Sequence, residues 1–515
     1  MILLAMDAFP FHSDEAVVGL MARHILQGNW PAFFYGQAYM GSLDASLVAL
    51  AFRLVGERVE SIRGVQTILY AGTIVTTMLL ARGISSDKFV PIVAGALMAI
   101  PAVNVTLYTT VSLGGYGEAL LIGNLLLLLA LRVHSDASRG WPFLVWGVLA
   151  GLGFWGFGLT LVYIVPSAIL MIRATFRSLT GRGARSRLAL MIVGGLAGAS
   201  AWLWSVARQG PAAFVSELLG SAIAGTNPTG VLPYLGVHAL NLLLFGSTVI
   251  FGLRPPWEVH WLAWPLLPVA IVFWLGVLLF AARISLREEP RNVGNWLLLG
   301  VIASLLVGFL LTPFGGDPSG RYFLPLASPL AILGAEFVTW LARRPGPAVA
   351  IGGLAGVLAF NLWGTLESAF VNPPGISTQF GPDTRVDAEG ISALVPVLEE
   401  LNELRGYSHY WVAYPLAFHS AERLIFVPQL PYHRDFRYTP RDDRYPPYKG
   451  MVETSPRVAY ITSRQPGLDQ AIREGLSAAG VSWSETTVGS YRIFYKLSEA
   501  IRPEQIDLRL PGELP

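Results

Sequence analysis

Residues 112–131 read SLGGYGEALLIGNLLLLLAL, and the fold class turns on them. From about residue 118 the run is apolar over most of the roughly 20 residues a helix needs to cross a bilayer, where unsatisfied backbone groups are costly. It nevertheless opens on an acid. Glu118 would sit at or just below the membrane interface, where an ionisable side chain is a functional candidate because burying it unpaired is expensive. The helix dipole also favours an acid in a first turn, so a purely local role stays open. The rest of the chain is of the same kind: its 515 residues are 53% hydrophobic and only 14% charged, whereas soluble domains carry about a quarter charged residues. Mean hydropathy is +0.52.

Ten stretches read as membrane helices: 60–82, 89–108, 118–133, 142–157, 159–173, 188–206, 263–282, 296–312, 322–342 and 347–366. The fourth and fifth are short, and the glycines between Gly147 and Gly158 must hold a tight reversal. Loop charge tests this trace, because Lys and Arg concentrate in short cytoplasmic loops. Alternate connections carry Arg82 and Lys88, Arg132 and Arg139, the set Arg173, Arg177, Arg182, Arg185 and Arg187, then Arg283, Arg287 and Arg291, and last Arg343 and Arg344. Those five are expected to be cytoplasmic. The loops holding Gly114–Glu118, residues 207–262 and Gly315–Arg321 are expected outside. Leu232–Leu253 is apolar enough for an eleventh crossing, but a crossing there would reverse the side of the Arg283 loop, so a helix lying in the interface or folded over the external face is expected.

The chain thus divides into an external loop over 1–59, a transmembrane region over 60–367 and a C-terminal region over 368–515. In the loop, amphipathic helices are expected at about 15–27 and 38–55, with Asp14 and Glu15 at the start of the first. An acid there also suits an N-cap or first turn. Beyond 367 polar residues rise, and β-rich runs at His409–Tyr414, Arg423–Val427, Arg457–Thr462 and Tyr491–Leu497 alternate with helical patterns at Leu394–Leu404 and Leu468–Ala479. A small extracytoplasmic α/β domain follows. Its Tyr410, Trp411, Tyr414 and the RYPPY stretch at 444–448 suit either core packing or contact with a sugar.

Several function classes are disfavoured. A net charge of +2, with arginines gathered in loops, is no nucleic-acid footprint. With no cysteine there is no thiolate nucleophile or thiolate metal site. A Walker loop and a GxGxxG in strand-turn-helix context are both missing, which argues against ATP-driven transport. His24, His238, His260 and Glu258 lack metal-binding spacing, so no metal is assigned and any divalent ion used would have no identifiable ligands. Arg321, opening the last but one helix, can grip a phosphate through two parallel hydrogen bonds. It could equally snorkel to the interface, with Asp317 pairing with it or staying hydrated.

The stretches SDEAVVGLMARHILQGNW (13–30), GGYGE (114–118) and GRYFLPLASPLAIL (320–333) together resemble the GT-C superfamily of membrane glycosyltransferases, in particular the glycosyltransferase 39-like group of protein O-mannosyltransferases and lipid A aminoarabinose transferases. The likeness covers most of the first 367 residues. It implies an all-α polytopic fold of about ten membrane helices with a small C-terminal α/β domain, and transfer of a sugar from a polyprenyl-phosphate donor to a lipid, glycan or protein acceptor at the outer face. It implies Asp14 as general base in an inverting displacement, Glu15 and Glu118 orienting acceptor or donor, and Arg321 meeting the charge of the departing lipid phosphate. Members of the group carry a membrane helix ahead of the Asp-Glu loop, which residues 1–13 are too few to form, so a further segment upstream is expected. The competing expectation is a transporter or flippase of a lipid-linked substrate, which would also place charges at membrane depth.

Overall fold

The computed structural model describes residues 2–178, 181–212, 215, 230–286, 293–370, 375–379, 386–433, 436 and 439–506. It divides into two compact units: a sheet-containing unit made of 1–37, 45–62 and 374–515, and a helical unit made of 38–44 and 63–373.

In the helical unit, Val59–Ile84, Tyr116–Ser135, Gly158–Ser178, Trp264–Leu286, Val293–Leu311, Arg321–Arg343 and Pro347–Phe370 are each long and apolar enough to cross a bilayer. Trp141–Gly156 is shorter. Two expected spans are broken: Phe89–Ala99 meets Val103–Thr110 at 73°, and Arg182–Gly198 meets the helix from Ser200 at 63°. The first break falls at Pro101, whose missing N–H and ring cannot continue a helix. The reversal expected among the glycines falls at Gly156–Gly158, between Trp141–Gly156 and the next helix.

Contacts fix the direction of each helix. Arg343 pairs with Asp87 at 2.7 Å, Arg187 donates to the Ser138 carbonyl, and a side chain at Gly294 would strike Ile84. The arginine-rich connections therefore share one end of the bundle. Arg287 and Arg291 lie outside the described residues. Val231–Ile250 also passes the test of length and apolarity for a span, yet its contacts place it at the opposite end: His238 Nδ1 bonds the Leu310 carbonyl, Asn241 Nδ2 donates to the Gly315 carbonyl, and Gly246 and Gly320 abut Phe323 and Val249. Both halves of that helix touch the 310–323 turn, so it lies across the end of the bundle, as loop charge predicts.

Two devices hold the bundle. Gly147 and Gly151 on one helix face Gly194 and Gly198 on another, where any side chain would strike the partner's backbone; such pairs let helices approach closely where lipid gives no hydrophobic drive. At mid-depth, Asn124 Nδ2 lies 3.0–3.3 Å from the Thr73 carbonyl and the hydroxyls of Thr76, Thr77 and Ser328, linking three helices by polar groups that would be costly to leave unmade. Outward faces carry exposed Ile68, Val272 and Leu279, as lipid contact requires.

In the sheet-containing unit, five strands lie in the order 425–428, 405–408, 459–463, 491–495, 484–488, the first three parallel and the rest antiparallel. Helices Ala388–Glu400 and Pro466–Ala478 follow the expected patterns. His409–Tyr414 does not: the strand is Arg405–Ser408, and Tyr410–His419 is a helix. Its aromatic and β-branched residues fit a strand by propensity, but they are buried almost throughout and tertiary packing overrides propensity.

The first-loop helix, Ser13–Leu26, also departs from expectation. It is buried along nearly its whole length instead of presenting a polar face, and Gly19 brings it against Phe418 of the Tyr410–His419 helix. A buried network joins the same pieces: Arg23 bonds Glu57, Glu422 and the Phe418 carbonyl, His24 bonds Glu422 and Tyr35, and Tyr448 donates to Glu422. The expected helix at 38–55 is a strand, Gln37–Gly41, followed by the helix Leu43–Val55.

Candidate functional site

Each unit gathers acids with aromatic and cationic partners. In the helical unit Glu118 lies in the first turn of Tyr116–Ser135, only 3% exposed. Gly115, with φ of 115°, starts that helix from a left-handed turn open to glycine. The carboxyl in contact with Glu118 belongs to Asp44, at the start of Leu43–Val55. Asp44 accepts hydrogen bonds from Gln66 Nε2 at 2.9 Å and from Ser112 Oγ at 2.5 Å, and burial raises its pKa against these hydrogen bonds. Two carboxylates in contact have no donor between them, and both oxygens of Glu118 lack a partner among the described residues. Like charges in contact disfavour the doubly ionised form of such a pair. Sequence reading passed over Asp44, because an acid after Gly41-Ser42 at a helix start looks like any first-turn acid.

Arg321 begins the helix Arg321–Arg343 at the same end of the bundle as Glu118. It pairs with Asp317 at 2.5 Å, one of the two alternatives left by sequence, and its guanidinium lies 5.0 Å from the centre of the Tyr322 ring. Tyr116, two residues before Glu118, and Tyr39 are its further electrostatic neighbours. Asp317 occupies one side of the fork only, and Arg321 Nε is buried with no hydrogen-bond partner among the described residues. The helical unit thus brings Glu118, Asp44 and Arg321 to the end opposite the arginine-rich loops.

In the sheet-containing unit Asp14 and Glu15 occupy the first turn of Ser13–Leu26. Glu15 is fully buried, whereas the Asp14 side chain is 27% exposed. Of Asp14, Glu15, Asp44 and Glu118, Asp14 is the acid with surface to offer a reactant. Its Oδ1 accepts a hydrogen bond of 2.6 Å from Tyr410 Oη, and His12 Nδ1 stands 3.9 Å from Oδ2. Around it lie Asp442, Tyr432 and Arg444. Burial pushes Asp442 up to about 7, with Arg444 opposing that rise. Burial brings the neighbouring His409 down to about 3, so its ring is neutral.

The other histidines have local duties. His24 belongs to the Glu422 network, His238 caps the Leu310 carbonyl, and His260 pairs with Glu258 at 2.9 Å. Among the described residues no group of three or more His, Cys, Asp or Glu is placed to hold a metal ion.

No family model matches the chain. A stretch of 98 residues is 35% identical to the undecaprenyl phosphate-alpha-4-amino-4-deoxy-L-arabinose arabinosyl transferase of Edwardsiella ictaluri (strain 93-146), and this match spans 19% of the chain and 17% of that relative's length. Among solved structures, ArnT from Cupriavidus metallidurans bound to undecaprenyl phosphate aligns over 95% of this chain and 94% of its own, with a TM-score of 0.58 and 13% identity. The apo form of the same protein gives 0.60 and 12% over the same shares. The chain is an integral membrane protein with the polytopic GT-C fold.

Proposed function

We propose that this protein is an inverting membrane glycosyltransferase that moves a sugar from a polyprenyl-phosphate-linked donor to an acceptor hydroxyl at the extracytoplasmic face, with Asp14 as general base. The observation that carries the proposal is Asp14 itself: within a fold shared along nearly its whole length with an aminoarabinose transferase, it is the partly open carboxylate of the acids gathered here. A base that must reach a hydroxyl cannot be sealed in a core.

The steps balance without a further reactant. Asp14 takes the acceptor's hydroxyl proton as that oxygen attacks the anomeric carbon; the bond from that carbon to the phosphate oxygen breaks, and polyprenyl phosphate leaves with the added negative charge. Arg321, held by Asp317 and with no hydrogen-bond partner for its Nε–H among the described residues, is the fixed donor that meets that charge. The Asp44–Glu118 pair belongs to the same unit, Glu118 standing two residues after Tyr116, an electrostatic neighbour of Arg321, and the pair orients the donor's polar head. Glu15 is buried, so its part is to hold the Asp14 turn and not to touch the acceptor. The extracytoplasmic assignment rests on the arginine-rich loops at the other end of the bundle and the positive-inside rule. The lipid carrier is suggested by the undecaprenyl phosphate bound to the structural neighbour.

The test is Asp14→Asn in the full chain, reconstituted in nanodiscs with a panel of undecaprenyl-phosphate sugars that includes 4-amino-4-deoxy-L-arabinose, and with a membrane extract as acceptor. Transfer should fall about 10²- to 10⁴-fold, the usual worth of a general base, with the melting temperature unchanged. Wild-type transfer by the variant would remove the base assignment. Movement of intact donor across a liposome membrane, with no transfer by the unaltered protein, would favour a flippase.

A further inference from the structure

We propose that Tyr410, in the C-terminal region, is a positioning residue of the active site: it holds Asp14 Oδ1 so that Oδ2 is turned to the acceptor, and by that hydrogen bond it stabilises the ionised, proton-accepting form of Asp14. This rests on the reading of Asp14 as general base and extends it to the C-terminal domain, which becomes part of the catalytic machinery.

Three constraints fix Tyr410. Its hydroxyl donates to Asp14 Oδ1 at 2.6 Å. Its backbone carbonyl accepts from Ser13 Oγ, the residue next to Asp14, at 2.5 Å. Its side chain is buried, 3% exposed, with the Arg444 guanidinium 5.5 Å from the ring centre. The Asp14 turn and Tyr410 are thus clamped through both side chain and backbone. The cation over the ring draws electron density from the phenol and makes its O–H a stronger donor. Burial, with Asp14 beside it, keeps the phenol protonated far above neutral pH, so it donates throughout the working range. A hydrogen bond donated to a carboxylate favours the charged form. The other charged or titratable groups facing this carboxyl are His12 from the preceding residues, and Asp442, Arg444 and Tyr432 from the loops after the 425–428 strand. Asp14 adds to the cost of ionising Asp442, Arg444 lowers that cost, and Tyr432 is hydrogen-bonded to Asp442. Tyr410 is the hydroxyl bonded to Asp14 itself.

The experiment measures transfer rate against pH, from 4.5 to 8, for the full chain and for Tyr410→Phe, which keeps the ring and loses the hydroxyl. The expected result is a fall in kcat of about tenfold or more, KM for the donor unchanged, and an acidic limb displaced to higher pH by about one unit, as loss of a hydrogen bond to a charged acceptor implies. Arg444→Gln should displace the limb the same way by less. Tyr448→Phe is the control. It removes a similar buried hydrogen bond, 2.7 Å to Glu422, in the same unit, and should lower the melting temperature while leaving the profile in place. If Tyr410→Phe lowers the melting temperature but leaves both the limb and kcat unmoved, or if Tyr448→Phe displaces the limb equally, Tyr410 is structural only and the inference fails. An inactive Asp14→Asn with an unmoved Tyr410→Phe profile would sink this inference alone, whereas an active Asp14→Asn would sink the base assignment beneath it. Should Tyr410→Phe not fold, the Arg444→Gln profile decides, and an unmoved limb there overturns the proposal.

Discussion

Replacing Asp44 separates what the acid pair does for the fold from what it does for function. Asp44 is 1% exposed and is the acceptor for Gln66 and Ser112, both themselves buried. Asp44→Ala strands those two donors at about 1–3 kcal/mol each, and with the small cavity left behind the expected loss of stability is about 3–5 kcal/mol. Asp44→Asn should cost about 1 kcal/mol, because its amide oxygen still accepts, its NH₂ can donate to Glu118, and the Ser112 hydroxyl can rotate to suit. Charge follows a different rule. Two ionised carboxyls in contact repel by about 4 kcal/mol at an effective dielectric of about 20, so the native pair is expected to carry one negative charge. Asp44→Asn leaves that charge on Glu118, and Glu118→Gln leaves it on Asp44, whereas the double variant abolishes it. Melting in nanodiscs should therefore rank the alanine variant lowest, and transfer assays should show each single amide variant retaining activity that the double variant loses. An alanine variant as stable as the native protein would refute the hydrogen-bond account; a double variant as active as the singles would refute the shared charge.

Two further outcomes are expected. Burial alone would raise the pKa of Glu422, but hydrogen bonds from His24 and Tyr448 and the charges of His24 and Arg23 hold it down to about 2 against an ordinary 4.5. With a depressed folded-state value, its contribution is fully present above pH 4.5 and lost as pH falls toward 2, and after allowance for solvent screening it is worth about 2 kcal/mol. Glu422→Gln should lower the melting temperature at pH 7, with the gap to the native protein closing as pH falls through that window; a gap independent of pH would show that the charge contributes nothing. In the helical unit, Gly151→Leu would drive a side chain into the backbone of the facing helix at Gly195 and should cost about 3 kcal/mol or prevent folding. Gly308→Leu, where a side chain meets open space, should be tolerated, and equal expression of the two would refute the packing argument.

What was legible in the sequence was what periodicity and loop charge encode. The apolar runs located the helices, and alternation of arginine-rich with arginine-poor connections put Glu118 and Arg321 at one end, where the contacts place them. Asp44 was not legible, because its meaning lies in Gln66, Ser112 and Glu118, which come from other segments and meet it only through packing. The same holds in the sheet-containing unit. Arg441-Asp442-Asp443-Arg444 reads as a hydrated charge run, yet Asp442 is buried beside Tyr432. Tyr410 was noticed only as an aromatic, in a stretch whose propensity points to a strand. Its hydroxyl reaches Asp14 because the helix Tyr410–His419 packs along Ser13–Leu26, a pairing of segments nearly 400 residues apart that local sequence does not carry.

Val231–Ile250 shows why composition alone cannot settle topology. A helix lying over the end of a bundle in the interface needs an apolar surface as much as one that crosses, and this one exposes Leu232 and Leu243 while burying His238. Were it to cross, Trp264–Leu286 would start from the arginine-rich end and finish at the other. Val293–Leu311 would then begin there too, far from Ile84, yet Gly294 abuts Ile84 where Val59–Ile84 ends. The next helix would likewise have to run backwards, although Arg343 at its far end pairs with Asp87. These two contacts require the chain to leave and re-enter the bundle at the same end on either side of Val231–Ile250. The crossings between Val59 and Phe370 are then even in number, so the helix that opens the membrane region starts, and the one that closes it finishes, at the end that carries Glu118, Asp44 and Arg321.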